Sequence, residues 1–559
     1  MTASTNRRTA ANYWERLTLE AVASAAFLAL LASCTRVGTS SGDNGRHPYT
    51  HPHELRFAAA SDIQGLNPLI ELSGYEAYLA QLTMAYLIKT DARGDATVPE
   101  LITEIPTQQN GGISKDGRTI TWHIRRGVKW SDGAPFDADD VVFTTQQVLN
   151  PKNTVISRDG WDLITKIDEP DKYTVVYHLR APYSSYAVTF FSTGGANPSV
   201  LPKHLLAQYS SLNQVPYNSL PVGIGPFKYE AWNRGDSVVM VANDNYFRGR
   251  PKLDRIIYKT VQDRNTVLEL MRTHDLDMWL PISPHYFPQV AGTPGISTLR
   301  LPSFFFDHLD FNLTRPEFQD ITLREALRYA LDRPTINLKV QNSLYLLDES
   351  PITPASRYHF NLSIVPFNLA KANALLDADG WQRARDGIRV KNGQRLSLVF
   401  ATAAGNHDTD TEIEIIRSSW KQLGVDFNVK HYLSSEFFAP AADGGIIYGG
   451  KFDVVVFAWG SDTNEDQSNL YACYRFPPDG QNDMHWCDRP ATAAMDAAKT
   501  SYDQPFRKKQ LDIIQRAVYD QVPTIVLDAR RELFGFNSDL KNWRPNPVSP
   551  FDDMMNVDI

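Results

Sequence analysis

A large mixed α/β fold with more than one core is what this sequence predicts. Three observations carry that expectation: short strand-like runs alternate with capped helical runs throughout, the chain has 559 residues, and 42% of them are hydrophobic. At roughly 100–200 residues per domain, such a length implies two to four compact units. The apolar fraction is too high for a disordered chain, and 32 Gly and 34 Pro are near average use. Three Cys cannot build a disulfide framework. There are 56 Lys+Arg against 64 Asp+Glu, a net charge of −8, and no long cationic block. That argues against a nucleic-acid partner, because phosphate neutralisation needs clustered cations.

The N-terminal stretch reads as an address. Arg7, Arg8 and Arg16 precede an uncharged apolar run from Ala21 to Ala32. A bilayer-spanning helix needs about 20 apolar residues, so the shorter run reads as the hydrophobic region of a signal peptide. It ends in Leu31-Ala32-Ser33-Cys34, which resembles the lipobox of bacterial lipoproteins. The resemblance implies a signal peptide over residues 1–33 and diacylation of Cys34; an ordinary secretory signal with an incidental Cys is the alternative. Residues 34–53 are polar, Gly/Ser-rich and aperiodic, as a flexible tether is. His47, His51 and His53 within it lack the preorganised geometry of a metal site. No later segment reaches transmembrane length, so the expected protein is anchored by lipid and does not span.

Strands and helices then follow by pattern. Thr119-Ile120-Thr121-Trp122-His123-Ile124 alternates with period 2, and Lys172–Leu179, Ser237–Ala242 and Phe452–Phe457 are further strand candidates. Asp137, with Asp140 three residues on, opens a helix; Thr322 and Glu325 form a T-x-x-E capping pair ahead of ALRYAL. Ile413, Ile416 and Trp420 have helical spacing over Thr411–Leu423, and Gly424 sits where a C-terminal cap belongs. Lys391-Asn392-Gly393-Gln394 marks a hairpin turn. Once Cys34 is set aside, Cys473 and Cys487 form an even pair in an oxidising compartment. A disulfide would close a loop of about 15 residues; two separate buried thiols are the alternative.

Motifs for catalysis are missing. The sequence has no G-x-x-x-x-G-K-[ST], no H-E-x-x-H and no G-x-S-x-G. Gly223-Ile224-Gly225-Pro226 starts like a dinucleotide turn, but Pro226 and the strand-like FKYEAW after it exclude an opening helix. Asp462-Thr463-Asn464-Glu465-Asp466 carries oxygen ligands at alternating positions, yet Gln467 replaces the turn Gly of a calcium loop and Cys473 its bidentate Glu. No cofactor, no metal and no enzymatic activity are expected.

Several blocks, in order, resemble the extracellular solute-binding proteins of family 5, the dipeptide, oligopeptide and nickel receptors of ABC importers. They are SKDGRTITWHIRRGVKWSDGAPFDADDVV from Ser114, Tyr173 to Tyr183, PVGIGPF from Pro221, NDNYFRGRPKLDRIIYKTVQD, FNLTRPEFQDITLREALRYALDR from Phe311, LAKANALLDADGW and YDQVPTIVLDARRELFGF. The resemblance covers about residues 54–559. It implies a two-lobed periplasmic-binding-protein-like fold with a hinge and an extra third domain. Residues 54–86, 217–300 and 524–559 would form lobe one, 87–216 the additional domain and 301–523 lobe two. The implied function is capture of a short peptide by hinge closure, for delivery to an importer permease, by a monomer at the periplasmic or cell-surface face of a membrane. A non-peptide ligand (a nickel complex, an oligosaccharide or an opine) is the alternative, and an envelope hydrolase a more distant one.

In peptide-binding members an Asp soon after a Trp-containing strand end receives the ligand's α-ammonium. Here Asp462 matches, three residues after Trp459. A solvated or loop-capping Asp is the alternative reading. Trp459 is the expected pocket wall, Ser461 and Asn464 polar candidates, and Ser61 and Tyr75 the expected contribution of lobe one. After Asp462 the usual Asp-Pro is replaced by Thr463-Asn464-Glu465-Asp466-Gln467, and that acidity would favour a more cationic ligand.

Overall fold

The alternating run at Thr119–His123 forms a strand with Ile120 and Trp122 buried. It pairs antiparallel with Thr174–Leu179, whose own burial alternates. The computed structural model describes residues 45–59, 63–70, 74–193, 197–461 and 463–559. Before position 51 the described residues make a turn, with the Thr50 amide donating to the His47 carbonyl at 3.1 Å. Cys34 and the proposed signal peptide lie outside the described residues. From His51 onward the chain forms one unit. Its first residues are tied down: the His53 amide donates to the Ile559 carbonyl at 3.3 Å, and its imidazole lies 2.7 Å from Asp558.

One sheet of ten strands organises the molecule. In chain order these are β1 (Glu54–Ala59), β2 (Phe227–Asn233), β3 (Ser237–Ala242), β4 (Arg255–Thr260), β5 (Met278–Trp279), β6 (Ile296–Phe311), β7 (Ser397–Ala403), β8 (Asp426–Tyr432), β9 (Val454–Gly460) and β10 (Thr524–Asn537). Their spatial order is β8-β7-β9-β6-β10-β5-β1-β4-β3-β2. The two central strands are the longest, with 16 residues in β6 and 14 in β10. They run antiparallel from Ile296↔Asn537 to Asp310↔Thr524. The register shifts between Pro302 and Phe306, where proline has no N–H to give the ladder. On one side β10 pairs with β5; on the other β6 pairs with β9 from Phe305↔Gly460 to Phe311↔Val454.

Buried apolar side chains gather in separate clusters. One holds Leu309, Phe311, Trp420, Val454 and Ile525 under the helices Ile321–Tyr329, His407–Leu423 and Gln504–Gln521. A second, around Trp122, Trp130 and Tyr177, fills the segment that carries the three-stranded sheet of Thr119–His123, Thr174–Leu179 and Ile164–Asp171. A third joins Phe57, Phe227 and Tyr258 to Phe551 and Ile559, so the C-terminus completes the core begun by the first strand.

Local chemistry sets the helix ends. Asp137 caps Ala138–Leu149 in a capping box with Asp140. Gly424 closes His407–Leu423 at φ 95°, and Asn392-Gly393 turns the Lys391↔Gln394 hairpin with both residues at positive φ. Two starts differ from expectation. The helix Ile321–Tyr329 is capped by Asp320, whose side chain accepts from the Thr322 amide, because a carboxylate two residues earlier takes the free N–H first. The helix expected from Thr411 begins at His407, since the Asn406 side chain accepts from the Asp408 and Thr409 amides. Cys473 and Cys487 are joined by a disulfide.

Gly223 and Gly225 answer to packing. A Cβ at Gly223 would lie 2.0 Å from the Thr83 carbonyl oxygen, and one at Gly225 2.5 Å from the Thr83 carbonyl carbon. The Gly225 amide donates to that carbonyl at 2.9 Å, so the loop lies directly on the end of the helix Gly74–Thr83. Gly223→Ala should therefore destabilise by about 1–3 kcal/mol through overpacking. Gly292→Ala, whose Cβ would meet nothing closer than 3.4 Å, serves as the control in thermal unfolding.

Candidate functional site

A cavity of about 770 Å³ opens where the two central strands meet the helix Gly74–Thr83 and the tip of β9. Each wall has a local origin. The first turns of the helix present Tyr75 and Tyr78, whose rings meet edge to face at 6.1 Å. Trp279 at the end of β5 and Ile282 just beyond it contribute a second face. The irregular part of β6 supplies Phe304 and Phe305; β9 ends in Trp459, Gly460 and Ser461. Gly460 pairs across the ladder with Phe305, and a Cβ there would lie 2.5 Å from the Phe305 ring. Absence of that Cβ lets the ring lie over the strand backbone, yet Phe305 stays 48% exposed and faces the cavity.

The residues expected from sequence are distributed unevenly. Trp459, Ser461 and Tyr75 line this cavity. Ser461 is tied to β6: its amide donates to the Phe304 carbonyl at 3.1 Å and its hydroxyl to the same oxygen at 3.4 Å. Asn464 lies elsewhere. It is buried, its side-chain amide donates to the Ser185 hydroxyl, and its backbone carbonyl accepts from Arg507 at 2.6 Å. These contacts hold the loop after β9 to two other segments and leave the side chain facing the interior. Asp462 and Ser61 lie outside the described residues.

The charged wall came from no sequence signal. Arg530 on β10 grips Asp307 on β6 through two bonds, Nε to Oδ2 at 2.8 Å and Nη2 to Oδ1 at 2.5 Å. The pairing outweighs burial and raises the Arg530 pKa. Glu532 accepts from the Ser303 hydroxyl at 2.5 Å, and burial pushes its carboxyl above the ordinary range. The guanidiniums of Arg264 and Arg531 also line the cavity and have no side-chain partner among the described residues.

A second cavity, about 580 Å³, adjoins the first and shares Arg264, Ser283 and Arg530 with it. Its other walls include Asp307 and the first turns of the helix His407–Leu423, with Asp408 and Glu412. Glu412 is only 4% exposed. Burial, then Asp307, pushes its pKa up to about 8, with Arg530 opposing. Behind it Asp528 is raised as well, by burial and then by Asp307 and Glu412. Among the described residues no group of three or more His, Cys, Asp or Glu is placed to hold a metal ion.

A mixed α/β fold with a lined cavity at the centre of a ten-stranded sheet is thus the class of protein that this geometry defines. Residues 96–480 match the family model described as "Bacterial extracellular solute-binding proteins, family 5 Middle". The chain belongs to that family, whose members are receptors rather than enzymes. It is 24% identical to the oligopeptide-binding protein AppA of Bacillus subtilis (strain 168) over 546 residues, 95% of this chain and 96% of the relative. Its fold is similar to the solved structure of AppA from Bacillus subtilis in complex with a nonapeptide, with a TM-score of 0.74 at 21% identity, covering 90% of this chain and 98% of that one. A similar likeness holds to NikZ from Campylobacter jejuni in complex with Ni(L-His), with a TM-score of 0.74, 24% identity and the same coverage.

Glu412 makes a pH-dependent contribution to stability with a definite sign. Its folded pKa lies above the ordinary glutamate value, so the folded state holds the proton more tightly than the unfolded chain between about pH 4.5 and 8. Stability from this group is complete below that window and is lost as pH rises through it. Glu412→Gln should accordingly raise the unfolding temperature relative to the unsubstituted protein. The gain should be small near pH 5 and should grow up to pH 8–9 in parallel thermal scans.

Proposed function

We propose that this protein is an extracytoplasmic receptor that captures short peptides between its two lobes and presents them to the permease of an ABC importer. The observation that carries the reading is the 770 Å³ cavity, walled by aromatic side chains from both ends of the chain and from β9. Such volume and lining suit a small solute held mainly by apolar contact and fixed by a few polar groups. Family membership and the likeness to AppA support a peptide as that solute. A diacylated Cys34 would hold the monomer at a membrane surface, with residues 34–53 leading from it.

In this reading lobe one comprises 54–86, 217–300 and 524–559, the additional domain 87–216, and lobe two 301–523. The apolar clusters support these divisions in their bulk, with Leu69, Ala85 and Ile224 packing with the additional domain and Ile525 and Leu527 with lobe two. Closure is supported by polar contacts between the additional domain and lobe two. Arg357 Nε donates to Asp95 at 2.9 Å, the Tyr502 hydroxyl to the Gly117 carbonyl at 2.9 Å, and the Ser184 hydroxyl to the Lys499 carbonyl at 2.9 Å. Ligand binding would shift an open/closed equilibrium toward the state these contacts stabilise.

Asp462 is the proposed acceptor for the peptide ammonium, supported by its neighbours Trp459 and Ser461 on the cavity wall. Asn464 is left out of the ligand set because its amide is already bonded to Ser185. Calorimetry against pools of di- to pentapeptides should give saturable binding. Asp462→Ala should weaken it about 10- to 100-fold, the equivalent of a charge-assisted hydrogen bond of about 1.5–3 kcal/mol. An unaffected variant would remove Asp462 from the site. Arg357→Ala should reduce apparent affinity a few-fold, on the order of 1 kcal/mol for a partly exposed ion pair, and blunt the contraction seen by small-angle scattering on ligand addition. Unchanged contraction would discard the latch.

A further inference from the structure

The second cavity holds more carboxylate than its own cations neutralise. Asp408 and Glu412 stand one turn apart on the helix His407–Leu423, a spacing that puts both on one face, and both line the cavity. The Asp408 carboxylate has no hydrogen-bond or ion-pair partner among the described residues. Glu412 is 4% exposed, and its Oε1 has no partner among the described residues either. Asp307 stands on the facing strand, and Asp528 lies behind it with an unbonded Oδ1. Against these four acids stand Arg530, committed to Asp307 through two bonds, and Arg264, which is exposed to water. His285 and His407 complete the titratable rim. The helix N-terminus is not the attraction, since Asn406 already accepts from the Asp408 and Thr409 amides.

We propose that this second cavity is the subsite for a basic group of the captured solute, an ammonium or guanidinium seated between the carboxylates of Asp408 and Glu412. The proposal rests on the receptor reading above and deepens it: the ligand reaches past Arg264 and Ser283 from the aromatic cavity into the acidic one. A bound cation supplies the donors that the unpartnered oxygens lack and replaces the proton that Glu412 otherwise holds. Binding therefore releases a proton near neutral pH, while a lysine or arginine side chain stays charged throughout. Affinity for a basic ligand rises with pH between about 6 and 9, because the ionised fraction of Glu412 rises, with Asp307, Asp408, Asp528, Arg264, Arg530, His285 and His407 as its charged or titratable surroundings.

The test titrates the full chain, unsubstituted and as Glu412→Gln, with tetra-alanine, its N-acetylated form, and variants carrying lysine or norleucine at each position. Calorimetry in two buffers of different ionisation enthalpy reports the proton count. The expected result is one basic group, side chain or terminal, whose removal weakens binding at least about tenfold in the unsubstituted protein and little in Glu412→Gln. Proton release should accompany binding only in the former. An equal response of both proteins to every basic group overturns the subsite. If none of these peptides binds, the peptide reading falls separately, and agmatine decides the subsite: saturable binding abolished by Glu412→Gln supports it, and no binding overturns it.

Discussion

The antiparallel ladder between β6 and β10 is the constraint on which the rest of the structure depends. These strands alone connect β8-β7-β9 to β5-β1-β4-β3-β2, so without their pairing the ten-stranded sheet would fall into two. Their register shifts twice near the middle, between Pro302 and Phe306, where proline offers no N–H, and again between Asp307 and His308. The first shift lies beside the aromatic cavity, since Phe304 and Phe305 are within it and line the wall. Loss of ladder bonds thus frees two aromatic side chains for the cavity.

A second constraint is electrostatic. Arg530, Asp307, Asp528 and Glu412 bring three acids and one guanidinium together at the join of the two cavities, and the bidentate Arg530–Asp307 pair satisfies only one of the acids. Burying a further unpaired carboxylate is expensive, so Glu412 and Asp528 are both pushed toward their neutral forms. A protonated carboxyl with an unbonded oxygen on a cavity wall is a compromise with solvent exclusion. It persists without a local partner because the ladder and the helix His407–Leu423 fix both backbones in place.

The sequence is most legible where structure is decided by neighbours in the chain. The Asp137–Asp140 box, the Gly424 cap and the Asn392-Gly393 turn depend on residues four or fewer positions apart, and each forms as expected. Ladder order is not local: β1 lies next to strands that begin some two hundred residues later, and no periodicity reveals that. The site divides the same way. Trp459 and Ser461, expected from the motif at the end of β9, and Tyr75, expected from the resemblance of its segment, line the cavity. Glu412 was missed because Ile413, Ile416 and Trp420 already account for the helix's apolar face, and an acid beside them reads as solvated. Only the approach of β6 and β10, from residues about a hundred positions away on either side, buries it. Asn464 errs oppositely: two residues beyond Asp462 it reads as pocket wall, whereas contacts with Ser185 and Arg507 turn it inward.

Aromatic walls bury apolar area at roughly 25 cal/mol per Å² whatever the solute, so they supply affinity with little discrimination. Discrimination has to come from polar groups whose bonding capacity the protein itself leaves unmet. Ser461 and Glu532 do not qualify, because Phe304 and Ser303 already engage them. Arg531 on one cavity, Arg264 on the wall shared by both, and Asp408 and Glu412 on the adjoining cavity do. Unmet positive charge and unmet carboxylate thus stand in neighbouring compartments. On the receptor reading proposed above, a dipolar ligand laid across the shared wall would satisfy both sets at once, and its reversal would leave like charges facing each other.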